Sequence, residues 1–402
     1  MTAGESGLHA LALNSGSSSL KFGLYRAYSA GAGLLLSGEV ESIGGSKGKI
    51  QAWDSHGNEL LSETAIIPSQ QDAIIRIGKL LTEIKAPAPA VIGHRVVHGG
   101  PRLRQHCIID EPVLRQLEAA AAFAPLHVPA ALAVIRFAQE HFPAVPQVAC
   151  FDTAFHAELA EVARVLPLPK ELRLDGIQRY GFHGLSCESI VRQLAGKLPG
   201  RLVIAHLGNG ASITAVKDGQ SIDTSMGMTP TGGVIMGTRS GDLDPGVLVY
   251  LAREKKLGAD ALEELVDHRS GLLGISGLGS DMRALREAAA TNADARLAIR
   301  MFCYSVRKQV AAMTAALDGI DLLVFTGGIG ENDWEARAAI CDGLSWSGLR
   351  LDQERNRSAS NPINDTASRS QVMVLASQED EQIAHHAWAL LSGSQRPERQ
   401  SH

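Results

Sequence analysis

Two arginines, Arg95 and Arg239, and several glycine-rich turns are the features of this chain best suited to chemistry on an anion. Upstream of Arg239, His206-Leu207-Gly208-Asn209-Gly210 forms a small-residue turn between two apolar runs, 202–205 and 213–216. Glycines let backbone N–H groups approach a ligand closely, and clustered N–H groups favour an anion such as phosphate. The glycine-rich backbone then continues to Arg239, beside Ser240, Asp242 and Asp244. An ordinary hairpin followed by a polar loop is the plainer alternative, but so long a glycine-rich segment in a compact domain favours a functional reading. Arg95 lies in a valine-rich run, 91–97, that ends at Gly99-Gly100. An arginine in such a strand needs an anionic partner. That partner is either a carboxylate or phosphate substrate or an internal ion pair.

Other residues extend the pattern. Asn14 and Lys21 border a serine-rich turn pinned between the strand candidates 8–13 and 20–25, a loose repeat of the central hairpin. Asn14 suits a metal-bound water or a phosphate, and Lys21 suits phosphate charge, although a serine-rich turn by itself reads equally as linker. Asp152 ends an apolar strand, where α/β folds place residues that face a ligand. His183 stands between glycines, either facing a ligand or packed and hydrogen-bonded, with Ser186 suited to capping the next helix. His127, in a proline-bracketed turn, reads as structural. Thr326 to Asn332 is a glycine turn opening a helix after a buried strand, which suits a nucleotide's ribose or phosphate.

The elements that must position these residues follow from periodicity. Apolar runs at 8–13, 20–25, 91–97, 148–150, 202–205, 213–216, 321–325 and 372–376 are strand candidates. Helical patterns fall at 70–85, 130–141, 261–266 and 293–317, and a last helix opens at Gln378-Glu379-Asp380-Glu381 with acids suited to its dipole. The glycine-rich segments 31–57 and 268–280 read as loops, the first between short strands, and 392–402 reads as a disordered tail. Gly44-Gly45-Ser46-Lys47-Gly48 has the letters of a hydrolase nucleophile elbow but lacks the flanking strand and helix. No complete Walker A pattern and no G-x-G-x-x-G occurs, against a P-loop enzyme or a dinucleotide-binding dehydrogenase.

At 402 residues and 45% hydrophobic, the chain is long enough for two domains, each with its own core. A net charge of -5 with no basic stripe argues against nucleic acid. Five scattered cysteines without C-x-x-C fit reduced thiols and a cytoplasmic location. The N-terminus has no basic segment followed by a long apolar one, and the most apolar later run, 119–138, is broken by prolines and Arg136, against a membrane span.

Taken in order, NSGSSSLKF, GHRVVHGG, APLH-x-P, FDTAFH, RYGFHG-x-S, HLGNGAS, MGTRSGDLDPG and TGGIGEN resemble the motifs of the acetate kinases. The resemblance runs from Asn14 to Asn332, with a weaker match around Glu379. It implies an α/β fold of two lobes with an interdomain cleft, each lobe a copy of the actin/hexokinase/Hsp70-type (ribonuclease H-like) fold. Residues 1–150 with 377–402 would form the lobe on the acetate and metal side, and 151–376 the lobe for nucleotide binding and dimerisation. It implies reversible, Mg²⁺- or Mn²⁺-dependent transfer of the ATP γ-phosphoryl to acetate by a homodimer, with propionate or another short-chain acid as the alternative acceptor. Arg95 and Arg239 would hold the carboxylate and the transferring group, His183 would contact an equatorial oxygen, and Asp152 takes the active-site acid position. Asn14 and Glu379 would lie on the metal side. Lys21, His206, Leu207, Gly208, Asn209, Gly210, Asp281, Met282, Arg283, Gly328, Ile329, Gly330, Glu331 and Asn332 would receive the nucleotide. Val97, Leu126, Phe182 and Pro230, with His127 beside them, would form a small pocket for the methyl group. This chain departs from the family at Val128, Leu185 and Thr231-Gly232-Gly233, near the acyl pocket, and reads SQEDEQIA in its last acidic motif.

A carboxylic acid has a pKa of about 4, so the nucleophile is already an anion and needs charge cancellation rather than a base. Asp152 is therefore expected to orient an arginine or a metal-bound water. A sugar kinase would need a carboxylate base for a hydroxyl and polar side chains for several more. A nucleotide-gated module would keep the phosphate hairpins without Arg95, Arg239 and His183.

Overall fold

The turn after Asn14 closes an antiparallel hairpin. In the computed structural model, which describes residues 7–16, 18–29, 31–124 and 127–394, β1 (Leu8–Ser15) pairs with β2 (Leu20–Tyr28), so that Asn14 faces Lys21 across the ladder. Leu126 and the tail beyond Ser394 lie outside the described residues. The chain continues through β3 (Gly31–Glu41), β4 (Gly48–Asp54), β5 (Glu59–Ala65), α1 (Gln70–Glu83), β6 (Val91–Val96), β7 (Cys107–Ile108), α2 (Glu111–Ala120), α3 (Val128–His141) and β8 (Gln147–Phe151). Then come α4 (Glu161–Arg164), α5 (Gly184–Gln193), β9 (Arg201–Leu207), β10 (Ala211–Lys217), β11 (Gln220–Thr224), α6 (Pro245–Glu254), α7 (Ala259–His268), α8 (Gly271–Ser276), α9 (Met282–Ala289) and α10 (Ala293–Ala316). The last elements are β12 (Leu322–Thr326), α11 (Gly327–Asn332), α12 (Trp334–Asp342), α13 (Gln353–Ser358), β13 (Gln371–Val374) and α14 (Glu379–Ser394).

The chain divides into two compact units: Met1–Ala154 with Gln378–His402, and Phe155–Ser377. Residue 150 lies inside β8, and the first boundary falls beyond that strand, leaving Asp152 in the first unit. The first sheet has the order β5-β4-β3-β2-β1-β6-β8-β7, and the second β11-β10-β9-β12-β13. In the first, β1 is antiparallel to β2 and parallel to β6; in the second, β9 is antiparallel to β10 and parallel to β12. The order β3-β2-β1-β6-β8 is thus repeated as β11-β10-β9-β12-β13, a duplicated α/β architecture. Central strands of both sheets are covered on both faces, which is why they read as continuous apolar runs. Ala10, Leu11 and Ala12 are fully buried, as are Val203, Ile204 and Ala205.

In the first unit the core lies between the sheet and α1, whose Ile74, Ile77 and Leu81 form one stripe against Leu11, Phe22 and Leu24. Ser69 caps α1 by accepting from Asp72 N. α14 returns to the same sheet and buries Ile383, Ala384 and Ala387. A Cβ on Gly93 would stand 2.5 Å from Ile383 Cγ2, so only glycine lets α14 lie against β6.

Several expected elements differ. The segment 31–57 is mostly strand, because Gly33 and Gly38 belong to β3. At Gly38 the Phe22 ring fills the place of a Cβ, which would sit 2.3 Å from Phe22 Cζ; the glycine makes room for an aromatic and does not mark a loop. Segment 268–280 contains α8, bounded by Gly271 and Gly277 at φ +60° and +67°. Ser186 lies inside α5, and the residue at its N-terminal boundary is His183, in the left-handed region at φ +57°. The expected disordered tail from residue 392 is helical through Ser394.

One buried histidine in each unit makes stability acid-sensitive. His94 (2% exposed) bonds Gln147 Oε1 at 2.6 Å, and His156 (2% exposed) bonds Ser221 Oγ at 2.8 Å and Phe182 O at 3.0 Å. Burial lowers each to about 4. The unfolded chain takes up these protons near pH 6.5 while the folded chain resists until about pH 4, so stability is full above about 6.5 and falls with pH across that window. Between pH 7 and 5 each histidine is expected to remove about 2 kcal/mol. Urea unfolding at the two pH values measures this, and His156→Gln should flatten the dependence; an unchanged slope would refute the assignment.

Candidate active site

In the first unit the site gathers where strands end. Arg95 is the penultimate residue of β6, Asn14 is near the end of β1, and Asp152 directly follows β8. α14, whose first residues are Glu379 and Asp380, packs on β1, β2 and β6. Asp152 is 1% exposed and holds Arg95 as a fork: Nη2 donates to Oδ2 at 2.6 Å and Nε to Oδ1 at 3.2 Å. Arg95 Nη1 donates to Asn14 Oδ1 at 3.1 Å and lies 3.9 Å from Glu379 Oε2. Burial would lower the Arg95 pKa, but Asp152 and then Glu379 outweigh it and hold the guanidinium above its ordinary value. Asn14 Nδ2 in turn donates to Asp380 Oδ1 at 3.1 Å and, more weakly, to Glu379 Oε2 at 3.4 Å. Burial, with Glu379 beside it, raises the Asp380 pKa against the opposing effects of Asn14, Lys21 and Arg95. Two carboxylates of this kind are hard oxygen donors of the type Mg²⁺ prefers. Lys21 is exposed on β2, opposite Asn14. Val97 follows β6, partly buried, and His127 is the residue preceding α3.

In the second unit a glycine turn is ringed by donors. His183 Nδ1 is 3.0 Å from Ser212 Oγ. A Cβ built on Gly210 would stand 3.1 Å from His183 Nε2 and 3.3 Å from Arg239 Nη1, so both nitrogens crowd the same point of backbone. Arg239 Nη1 also donates to Pro230 O at 3.3 Å. His206 stacks on His183 with ring centroids 4.2 Å apart and planes 23° apart, and its Nδ1 is 2.8 Å from Ser186 Oγ. Phe182 is 1% exposed, and its carbonyl accepts from His156. The turn itself is tight: Gly208 N donates to Gly210 O at 2.9 Å, and Gly237 N to Asn209 O at 3.1 Å. Leu207 is buried at the end of β9. Its carbonyl would lie 2.8 Å from a Cβ on Gly327, which has φ +77°, so the α11 turn abuts the strand end only as glycine.

Beside this turn lies a cavity of about 550 Å³, lined by Gly208, Asn209, Asp281, Met282, Arg283, Gly328, Ile329 and Asn332. Gly330 and Glu331 do not line it. Glu331 Oε1 accepts from Gly327 N at 2.9 Å and from Ser377 N at 3.0 Å, and the carbonyls of Gly330 and Glu331 receive the buried Arg337. Asp281 Oδ1 caps α9, accepting from Arg283 N at 2.8 Å and Ala284 N at 3.1 Å. The sequence reading missed Arg286, Asp333, Trp334 and Glu335, which also line the cavity. Arg286 is fixed there by Asp333 at 2.8 Å and Glu335 at 2.5 Å. Asp333 and Glu335 directly follow the TGGIGEN motif, so extending that motif by three residues would have found them. Asp380 was missed although it adjoins Glu379.

Comparison with known proteins gives a consistent result. Residues 9–385 match the model of the acetokinase family. Acetate kinase from Methylocella silvestris is 41% identical over 95% of this chain and 97% of its own length, and that from Leifsonia xyli is 43% identical over 94% and 97%. Among solved structures, a propionate kinase from Francisella tularensis superposes with a TM-score of 0.89 at 37% identity, covering 95% of this chain and all of its own. Acetate kinase from Porphyromonas gingivalis does so with a TM-score of 0.85 at 35% identity, over 96% of this chain and all of its own. The two-sheet architecture is therefore that of the acetate kinases. Among the described residues no helix is long and apolar enough to cross a membrane. With a family match that spans nearly the whole chain, and relatives of this identity along their full lengths, the chain belongs to the acetokinase family of phosphotransferases.

Proposed function

We propose that this chain transfers the γ-phosphoryl group of ATP to acetate, reversibly, giving acetyl phosphate and ADP. The observation that carries the reading is the Asp152 carboxylate, spent on the fork of Arg95. A kinase for an alcohol needs such an acid as its base; a kinase for a carboxylate needs it only to aim a cation. One acetate oxygen forms the new P–O bond as the bond to the ADP oxygen breaks, and no proton moves. Arg95 supplies charge for the acetate carboxylate. His183 Nε2 and Arg239 Nη1, beside Gly210, supply donors for the equatorial oxygens. The cavity beside Gly208 takes the nucleotide. Glu379 and Asp380, braced by Asn14, would hold Mg²⁺, which when bound neutralises phosphate charge. Val97, Leu126, Phe182 and Pro230 are proposed to set the acyl pocket. The exposed Val247, Val249 and Tyr250 of α6 give the second unit apolar surface suited to a homodimer. Free thiols at all five cysteines suit a cytoplasmic setting.

Trapping acyl phosphate with hydroxylamine, with ATP and Mg²⁺, across formate, acetate, propionate and butyrate tests the reading. Acetate is expected to give the highest kcat/KM, with propionate lower by about 10- to 200-fold, the worth of one methylene. A propionate optimum would instead make this a propionate kinase, as in the Francisella tularensis neighbour. ATP turnover indifferent to any acid would overturn the proposal.

A further inference from the structure

His206 is held at Nδ1 by a serine hydroxyl, and that hydroxyl is itself held. Ser377 Oγ donates to Ser186 Oγ at 2.9 Å, and Ser186 Oγ lies 2.8 Å from His206 Nδ1. Ser186 is fully buried and His206 is 9% exposed. A hydroxyl has one proton to donate. With Ser377 donating to Ser186, the Ser186 proton is available to His206 Nδ1. A ring nitrogen that accepts that proton carries none of its own, and the imidazole proton then sits on Nε2 of a neutral ring. Nε2 lies 3.8 Å from where a Cβ on Gly208 would stand, and Gly208 lines the cavity. The other end of the line is fixed as well. Ser377 N and Gly327 N both donate to Glu331 Oε1, at 3.0 and 2.9 Å. The first turn of α11, the segment at Ser377 and the His206 ring are therefore joined by hydrogen bonds, all within the second unit.

We propose that Ser377 and Ser186 are positioning residues, a hydroxyl relay that fixes His206 as the neutral Nε2–H tautomer and aims it as a donor to a nucleotide phosphate oxygen. Glu331 ties this relay to the α11 turn on which the nucleotide rests. The inference stands on the reading of the cavity as an ATP site. A neutral ring also stacks on His183 without the repulsion that two imidazolium rings would bring.

Protein labelled with ¹⁵N at histidine reports each ring's tautomer by NMR without substrate, and His206→Gln identifies the relevant resonance. The wild-type signal is expected to show protonated Nε2 and unprotonated Nδ1. Ser377→Ala frees the Ser186 hydroxyl to turn, so His206 becomes a mixture of tautomers. The KM for ATP then rises about ten-fold, the worth of one hydrogen bond to a charged group. The acetate KM stays within about two-fold, since no acetate contact is removed. Ser377→Thr, which keeps the hydroxyl, restores both readouts, and Ser186→Ala reproduces the tautomer change. A wild-type ring protonated at Nδ1, or a His206 signal unmoved in both alanine variants, would overturn the relay. Failure of the wild-type protein to bind ATP in calorimetry would overturn instead the reading of the cavity on which the relay's purpose rests.

Discussion

Arg95→Ala is expected to lower kcat/KM for acetate about a hundred- to a thousand-fold, the loss that follows removal of a donor aimed at transition-state charge. The acetate KM should rise, while the KM for ATP stays within about three-fold, because no nucleotide contact is removed. The same change leaves the Asp152 carboxylate, 1% exposed, without its guanidinium. Breaking a buried pair from one side costs about 3–5 kcal/mol, so the variant is also expected to unfold at lower urea. The two effects separate in the double variant Arg95→Ala, Asp152→Asn, which removes the stranded charge: stability should recover and acetate kinetics should not. Arg95→Lys keeps the charge but loses the fork, and should fall between wild type and alanine. Asp152→Asn alone retains an acceptor for Arg95 and should keep near-normal turnover with an unshifted pH–rate profile. Its complete loss of the chemical step would make Asp152 more than an orienting group. Unchanged acetate kinetics in Arg95→Ala would remove Arg95 from the reaction altogether.

That Arg95 needed an anionic partner was legible in the sequence, since a cation in a valine-rich strand cannot be left alone. The strand itself did not name that anion, because Asp152 is 57 residues away along the chain; the family resemblance did, by giving Asp152 an arginine or a metal-bound water to orient. The hairpins β1–β2 and β9–β10 were legible for a related reason: their central strands are buried on both faces and read as unbroken apolar runs. β3 was hidden because its glycines make room for Phe22, an effect of the neighbouring strand that local composition does not reveal. Ser186 carried the composition of a cap, but the left-handed His183 begins the helix and frees Ser186 to face His206. Asp380 was obscured because helix-dipole complementarity already explained an acid at that position. Only the packing of α14 against β1 and β6 gives it Asn14 as a partner.

Gly210→Ala carries the other large expected effect. Gly210 does not have a positive φ, so alanine costs little backbone strain. The added methyl would instead press on His183 Nε2 at 3.1 Å and Arg239 Nη1 at 3.3 Å, contacts tighter than ordinary van der Waals separation. Neither nitrogen yields freely. His183 is tethered at Nδ1 by Ser212, and Arg239 Nη1 is bonded to Pro230 O. If these two donors address the transferring phosphoryl group, displacing them by even part of an ångström should lower kcat about a hundred-fold, the typical cost of misplacing reacting groups. Thermal stability should change little, since the methyl fills no core. Gly208→Ala is the internal control: its methyl would stand 3.4 Å from Gly210 O, 3.8 Å from His206 Nε2 and 4.0 Å from Gly328 N, ordinary contacts on the edge of the cavity. That variant should raise the KM for ATP with a smaller effect on kcat. Equal kinetic effects of the two alanines, or a Gly210→Ala enzyme with wild-type kcat, would place phosphoryl transfer away from the His183 and Arg239 nitrogens.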